Sequence, residues 1–280
     1  MSGLIDAFVI KKLISEALTE DIGTGDITTM SCVSADAVSK GQFIAKETGV
    51  VCGIELLTKV FAALDERVRV LPRLKDGDSV ESGEVIAEVK GSSRAILTGE
   101  RTALNFIRHL SGIATQTNAA VKSISGTNTQ IVDTRKTTPG LRVLEKYAVH
   151  CGGGKNHRFG LSDGVLIKDN HIVAAGGIKQ AVDLARQTAP HTLKIEVETE
   201  TLAQIDEALG AGADIIMLDN MSVQQMTEAV KHIGGRAISE ASGNMGGKDL
   251  KAVADTGVNF ISIGALTHSV KALDISLKFK

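Results

Sequence analysis

The 280-residue chain sets 31 Lys and Arg against 33 Asp and Glu, a net charge of −2, and is 43% hydrophobic, enough to core one or two globular domains. Near-neutrality argues against nonspecific binding to nucleic acid or a membrane surface, and with no Trp and one Tyr there is no aromatic platform for stacking bases. Cys32, Cys52 and Cys151 form no Cys-x-x-Cys pair, which excludes a disulfide framework or zinc knuckle as an expectation and points to the cytoplasm.

In residues 1–19, Asp6, Lys11, Lys12 and Glu16 interrupt any signal-peptide core or membrane span, and Leu4, Phe8, Ile14 and Leu18 read as one side of an amphipathic helix. Asp21 and Asp26 flank glycines without the ligand count of a calcium loop, so they are read as turn formers. Strands are predicted over 40–51, 68–74 and 84–89, with Asp76-Gly77-Asp78 and Ser82-Gly83 as turns between them. The stretch from Asp76 to Val89 is similar to the half-barrel hairpins of lipoyl-type domains but carries no suitably placed lysine, so it is read as a small covering sheet. A helical pattern follows over 99–122, broken near Ser111-Gly112.

From residue 130 short apolar runs recur at 130–133, 164–168, 193–198, 214–219, 236–240 and 259–264, with amphipathic segments such as 201–210, 223–233 and 248–255 between them. Parallel strands joined by crossover helices give this pattern, so a β/α barrel is expected, full or incomplete. Polar residues follow or end strand after strand: Arg135 and Lys136, Lys168 and Asp169, Glu198, Asp219, Glu240 with Ser242, and Gly264. That end of a β/α barrel is its active-site face, whereas random surface charge would fall as often on the helices.

The residue types narrow the chemistry. Arg135 and Arg158 can each grip a carboxylate or phosphate through two parallel N–H bonds, while Lys136 and Lys168 act as point charges, so a polyanion is expected. Glu198 and Asp219 can hold a hard divalent ion such as Mg2+ or the hydroxyls of a sugar. The small-residue stretches 239–245 and 262–265 stand where such barrels carry a phosphate cradle. Within the cluster His157 is read as a ligand-binding residue and His171 as a supporting one, Lys194 as part of a structural salt bridge, and Arg142 and Lys146 as solvated or paired. Glu196 and Glu198 are assigned to opposite faces of one strand, so that only one of them faces the pocket. A Schiff-base aldolase using Lys168 and a noncatalytic phosphometabolite-binding protein are the rival readings.

Taken in order, Glu20-Asp-Ile-Gly-Thr-Gly-Asp-Ile-Thr-Thr29, Gly99-Glu-Arg-Thr-Ala-Leu-Asn-Phe106, Asp133-Thr-Arg-Lys-Thr-Thr-Pro-Gly-Leu-Arg142, residues 152–158, 166–171, Glu196-Val-Glu198, Met217-Leu-Asp-Asn220 and Glu240-Ala-Ser-Gly243 resemble the quinolinate phosphoribosyltransferase family over essentially the whole chain. Asn244-Met245 stands where that family commonly has Gly-Ile. The resemblance implies an α/β protein: an N-terminal α+β sandwich domain over 1–110, an incomplete, seven-stranded-type β/α barrel over 111–269, and a segment 270–280 that packs back onto the first domain. It implies phosphoribosyl transfer from phosphoribosyl pyrophosphate to quinolinate with decarboxylation, and a requirement for Mg2+. It also implies Arg135, His157, Arg158 and Lys168 around the quinolinate carboxylates, with Arg101 reaching in across a homodimer interface and Lys136 near the pyrophosphate. Glu198 and Asp219 are expected at the ribose hydroxyls and the metal, and Ser242, Gly243 and Gly264 at the 5'-phosphate; Lys136, Lys168, Glu198 and Asp219 carry the catalysis in this reading.

Overall fold

The structure, a computed structural model, describes residues 5–280. It divides into two compact units. One takes the chain up to Asn118 together with Thr138–Gly153 and Ser269–Lys280; the other takes Ala119–Thr137 and Gly154–His268.

In the first unit, helix α1 (Ala7–Ile22) buries Ile10, Ile14 and Leu18. Phe8, expected on that face, is 83% exposed, because Ile10 rather than Phe8 lies a turn before Ile14; Leu4 lies outside the described residues. Asp26, read as a turn former, instead caps the short helix α2 (Ile27–Cys32), accepting a 2.9 Å hydrogen bond from Thr29 N–H, and Asp21, read likewise, lies within α1. Strands β1 (Val38–Ala45) and β2 (Gly49–Val50) lead into helix α3 (Ile54–Leu64), which the strand-like reading of this region overlooks. Its free N–H groups are satisfied from a distance in sequence: Asp76 Oδ1 accepts from Gly53 and Ile54 at 2.8 and 2.9 Å, and Asp76 Oδ2 accepts from Tyr147 Oη at 2.8 Å. Strands β3 (Arg69–Pro72), β4 (Ser79–Val80) and β5 (Val85–Ser92) follow. β1, β3 and β5 join the C-terminal strand Ile275–Phe279 in an antiparallel sheet, in which that last strand pairs with β1 from Gly41 opposite Phe279 to Ala45 opposite Ile275.

Helix α4 (Ser93–Ser123) runs unbroken through Ser111-Gly112. The expected break is absent for a packing reason: a Cβ on Gly112 would stand 2.3 Å from the Lys271 carbonyl, so the glycine serves close approach of the C-terminal backbone rather than a helix end. Helix α5 (Arg142–Cys151) is tied to α4 by Glu145, fully buried, which pairs with His109 Nε2 at 2.8 Å and accepts from Thr138 N at 3.0 Å. Lys146, expected to be solvated or paired, is fully buried, so of the two alternatives solvation is the one that fails.

The second unit holds the six predicted parallel strands: β6 (Gln130–Val132), β7 (Val165–Ile167), β8 (Ile195–Thr199), β9 (Ile215–Asp219), β10 (Ile238–Ser242) and β11 (Phe260–Ser262). Their order, β6-β11-β10-β9-β8-β7, brings the last strand beside the first, as in a barrel. Lys155 adds a single parallel bridge to Val132 on the other side of β6. The ring therefore has seven positions, and among the described residues no strand pairing joins Lys155 to β7, which makes the barrel incomplete. Ile195, Val197, Ile216, Leu218 and Ala241 are buried. Intervening residues of the same strands, Glu196 and Glu198, Met217 and Asp219, Glu240 and Ser242, point to the other face, because side chains alternate along a strand.

Candidate active site

At the carboxyl ends of these strands lies a cavity of roughly 500 Å³ whose lining includes Arg135, Lys136, His157, Arg158, Lys168, Glu198, Asp219, Ser242 and Gly243. Nine of the sequence-expected residues thus share one space. Gly264 adjoins it through Lys136, whose Cδ a Gly264 Cβ would meet at 3.0 Å. Arg101 is exposed on the part of α4 that belongs to the first unit.

The cationic wall is held from behind. Asp133, fully buried after β6, accepts from the Asn156 amide at 2.6 Å and from His157 N–H at 2.9 Å, so one carboxylate fixes the loop that carries His157 and Arg158. Arg158 donates to the Gly164 carbonyl at 2.7 Å, and burial, with the neighbouring Arg135 adding to it, lowers its pKa from the ordinary arginine value. A guanidinium stays charged even so, and its partial dehydration favours an anion. Lys136 is fixed by its backbone: its carbonyl accepts from Thr267 Oγ1 at 2.7 Å and its N–H donates to Thr134 Oγ1 at 3.0 Å. His171 accepts at Nδ1 from Lys168 N–H at 2.9 Å, a supporting position.

Lys168 and Glu198 form an ion pair across the cavity. The lysine is 46% exposed and paired, the reverse of the dehydrated, uncharged amine a Schiff-base aldolase needs. Asp219 accepts from the Asn220 side chain at 2.6 Å, and Asn220 holds φ 53°. Beside it Gly243 has φ 94°, and a Cβ there would fall 2.2 Å from Asn220 Oδ1 and 2.7 Å from Asn220 N. Gly243→Ala is therefore expected to cost about 1–3 kcal/mol of backbone strain and to displace the Asn220 loop, which a raised KM for the substrate bound there and a lower Tm would report.

Two buried acidic residues beside the cationic wall, Glu240 in this cavity and Glu196 in the adjoining one, were not assigned a role from the sequence. Glu196 and Glu198 are two residues apart and share a face, so the expectation that they point oppositely is wrong, although only Glu198 lines this cavity and Glu196 lines the adjoining one. Glu196 Oε2 lies 3.1 Å from His157 Nε2, and Glu240 Oε1 lies 3.7 Å from the same nitrogen. His157 Nδ1 accepts from Arg158 N–H at 2.8 Å, so both ring nitrogens are engaged within the protein. Burial, and after it the charge of Glu196, pushes the Glu240 carboxyl up to about 7. The Glu-x-Glu alternation was the available signal for Glu196; nothing in the sequence reports that Glu240 is only 5% exposed.

Residues 26–111 match the family model for the N-terminal domain of quinolinate phosphoribosyl transferase, and residues 113–278 match the model for its C-terminal domain. The chain belongs to the quinolinate phosphoribosyltransferase family. It is 50% identical over 268 residues to a probable nicotinate-nucleotide pyrophosphorylase (carboxylating) of Bacillus subtilis, which spans 96% of this chain and 92% of that protein. The nicotinate-nucleotide pyrophosphorylase of Francisella tularensis superposes with a TM-score of 0.95 at 43% identity, covering 99% of this chain and 98% of its own. NadC from Streptococcus pyogenes gives a TM-score of 0.93, also at 43% identity, over 99% and 98% of the two chains. The incomplete barrel and the separate antiparallel sheet are thus the fold of this family.

Proposed function

We propose that the cavity of the second unit holds quinolinate at its cationic wall and phosphoribosyl pyrophosphate at its acidic and glycine-lined wall. The chain is an enzyme of de novo NAD biosynthesis that converts quinolinate and phosphoribosyl pyrophosphate to nicotinate mononucleotide, pyrophosphate and CO2. The observation that carries the residue assignments is the single cavity in which Arg135, Arg158 and Lys168 stand against Glu198, Asp219, Ser242 and Gly243. Cations enough for two carboxylates favour the diacid over a monocarboxylate.

In this reading Arg135, Arg158 and Lys168 receive the acceptor's carboxylates, and His157, with both nitrogens engaged, forms the wall beside them. Lys136 neutralises the departing pyrophosphate. Glu198 and Asp219 bind the ribose hydroxyls and stabilise the positive charge that grows on the sugar as the bond to pyrophosphate loosens. The pyridine nitrogen then attacks, and decarboxylation follows at the carbon next to the cationic nitrogen. No covalent enzyme intermediate is required. Ser242, Gly243 and Gly264 take the 5'-phosphate.

The residues also fit Mg2+. Glu198 and Asp219 would hold the ion, directly or through water, two carboxylates being a donor set suited to a hard divalent cation. When bound, the ion supplies charge neutralisation on the pyrophosphate.

Incubation with Mg2+, phosphoribosyl pyrophosphate and either quinolinate or nicotinate, following nicotinate mononucleotide and CO2, tests the assignment. Product from quinolinate is expected; product from nicotinate alone would overturn it. The cytoplasm is the proposed compartment, and among the described residues no helix is long and apolar enough to cross a membrane.

We assign Arg101 to the pocket of a neighbouring subunit in a homodimer or a larger assembly. Arg101→Ala and Lys168→Ala are then each nearly inactive alone. Mixed after subunit exchange, they are expected to regain about a quarter of wild-type activity, since half the dimers would carry one intact site. A mixture no more active than its parts would exclude a shared site.

A further inference from the structure

We propose that Glu240 is the acid that protonates the ring carbon from which CO2 leaves. The inference rests on the reaction assigned above, because that chemistry demands a donor. When the bond from ring carbon 2 to its carboxylate breaks, CO2 departs without the electron pair, which stays on the carbon beside the cationic nitrogen. The Glu240 O–H bond then breaks, its proton joins that carbon, and Glu240 is left as a carboxylate. Water reaching Glu240 from the adjoining cavity supplies the replacement proton.

The geometry singles out Glu240 among the groups of this cavity. Its carboxyl lines the space with Arg135, Arg158 and Lys168, the residues assigned to the acceptor, and is 5% exposed. Glu196 Oε1 and Glu240 Oε1 are both buried without a hydrogen-bond partner among the described residues. One imidazole stands between the two carboxylates, and its Nδ1 already accepts from the backbone, leaving a single ring N–H for two buried acids. Two like charges so placed cannot both persist in a buried setting, so one acid keeps its proton.

The charged surroundings agree on which. Glu240 faces Glu196 from β8, His157 and Arg158 from the loop after Lys155, and Arg135 and Lys168 from the ends of β6 and β7. Glu198 is neutralised by Lys168, and Asp219 is held by Asn220. Burial and Glu196 raise the Glu240 pKa to about 7, against the smaller opposing effects of His157 and the Ser262 hydroxyl. An acid of that strength suits proton donation near neutrality, whereas an arginine does not release its proton. A supply route is also present. His157, Glu196 and Glu240 line a second cavity of roughly 450 Å³ with Asp163 and Lys194, so Glu240 borders both spaces and can be recharged from the one away from the acceptor.

The test is steady-state kinetics of the full-length enzyme with quinolinate and phosphoribosyl pyrophosphate, for wild type, Glu240→Gln, Glu240→Asp and Glu196→Gln. Glu240→Gln is expected to lower kcat by at least about 100-fold, with both KM values within about threefold of wild type. Wild-type kcat should fall on the alkaline side with a limb at about 7 or above, the bound diacid pushing it upward; Glu240→Gln should lack the limb and Glu240→Asp should retain part of kcat with the limb displaced. Glu196→Gln should lower kcat less and move the same limb to lower pH, since the charge that raises Glu240 is removed. A Glu240→Gln enzyme with near-normal kcat and the limb intact would overturn the proposal. So would a loss confined to the KM for quinolinate in both Glu240 variants, which would make the residue a shaper of the pocket. If wild type makes no nicotinate mononucleotide from quinolinate, the assigned reaction itself falls; if it does, only the identity of the acid is at stake.

Discussion

Glu198→Gln is expected to reduce kcat by about 10²–10³-fold, a loss of about 2.7–4 kcal/mol of transition-state stabilisation. The carboxylate ends β8 in the same cavity as Asp219 and carries its charge where the sugar becomes positive. A glutamine preserves the shape and the capacity to accept a hydrogen bond from a hydroxyl, so ribose binding is spared and the charge alone is lost. The ion pair with Lys168 separates this effect from a binding defect. Without Glu198 the lysine loses its internal partner and is freer to meet the acceptor, so the KM for quinolinate should hold or fall while kcat collapses. Lys168→Met should do the reverse, raising the KM for quinolinate and leaving Glu198 unpaired. Kinetics of the two variants decide the matter: a Glu198→Gln enzyme with kcat within threefold of wild type and a raised KM for phosphoribosyl pyrophosphate would reduce Glu198 to a ribose ligand.

Much of this arrangement can be read along the chain because strands impose a short period. The six parallel strands announce themselves as apolar runs, and the polar residue closing each run falls at one end of the barrel. Arg135, Lys168, Glu198, Asp219 and Ser242 are legible for that reason. What escapes is decided by partners remote in sequence. The raised pKa of the Glu240 carboxyl comes first from its burial and then from Glu196 on another strand, and no local pattern carries that information. Helix α3 was hidden because its first N–H groups are capped by Asp76 rather than by a residue at its own start. Gly112 was misread as a break because the backbone it admits, at Lys271 and Ala272, lies at the other end of the chain. Lys146, read as solvated or paired, is not solvated, which only the burial of α5 decides.

Asp133→Ala is expected to destabilise the protein by on the order of 2–5 kcal/mol and to weaken quinolinate binding at the same time. Asp133 immediately follows β6, is fully buried, and accepts from both the Asn156 amide and the His157 backbone N–H. Truncation strands those donors away from water, and each stranded donor carries its own desolvation cost. The backbone bonds between Asp133 and Lys155 and between Lys155 and Ile131 survive, so the edge of the barrel stays in place while the loop beyond it loosens. Because that loop presents Arg158, the KM for quinolinate should rise. The pairing of Lys168 with Glu198, built on β7 and β8, is untouched, so kcat at saturation should change far less. Asp133→Asn tests the cause. One of its side-chain atoms can still accept from His157 N–H, and rotation of the Asn156 amide can offer an oxygen to the other, so about half of the lost stability should return. Urea unfolding of the three proteins, with m-values compared to exclude a change in the unfolded state, measures the effect. An Asp133→Ala protein as stable as wild type would mean that water replaces the carboxylate, and that the loop carrying His157 and Arg158 is held by its other contacts.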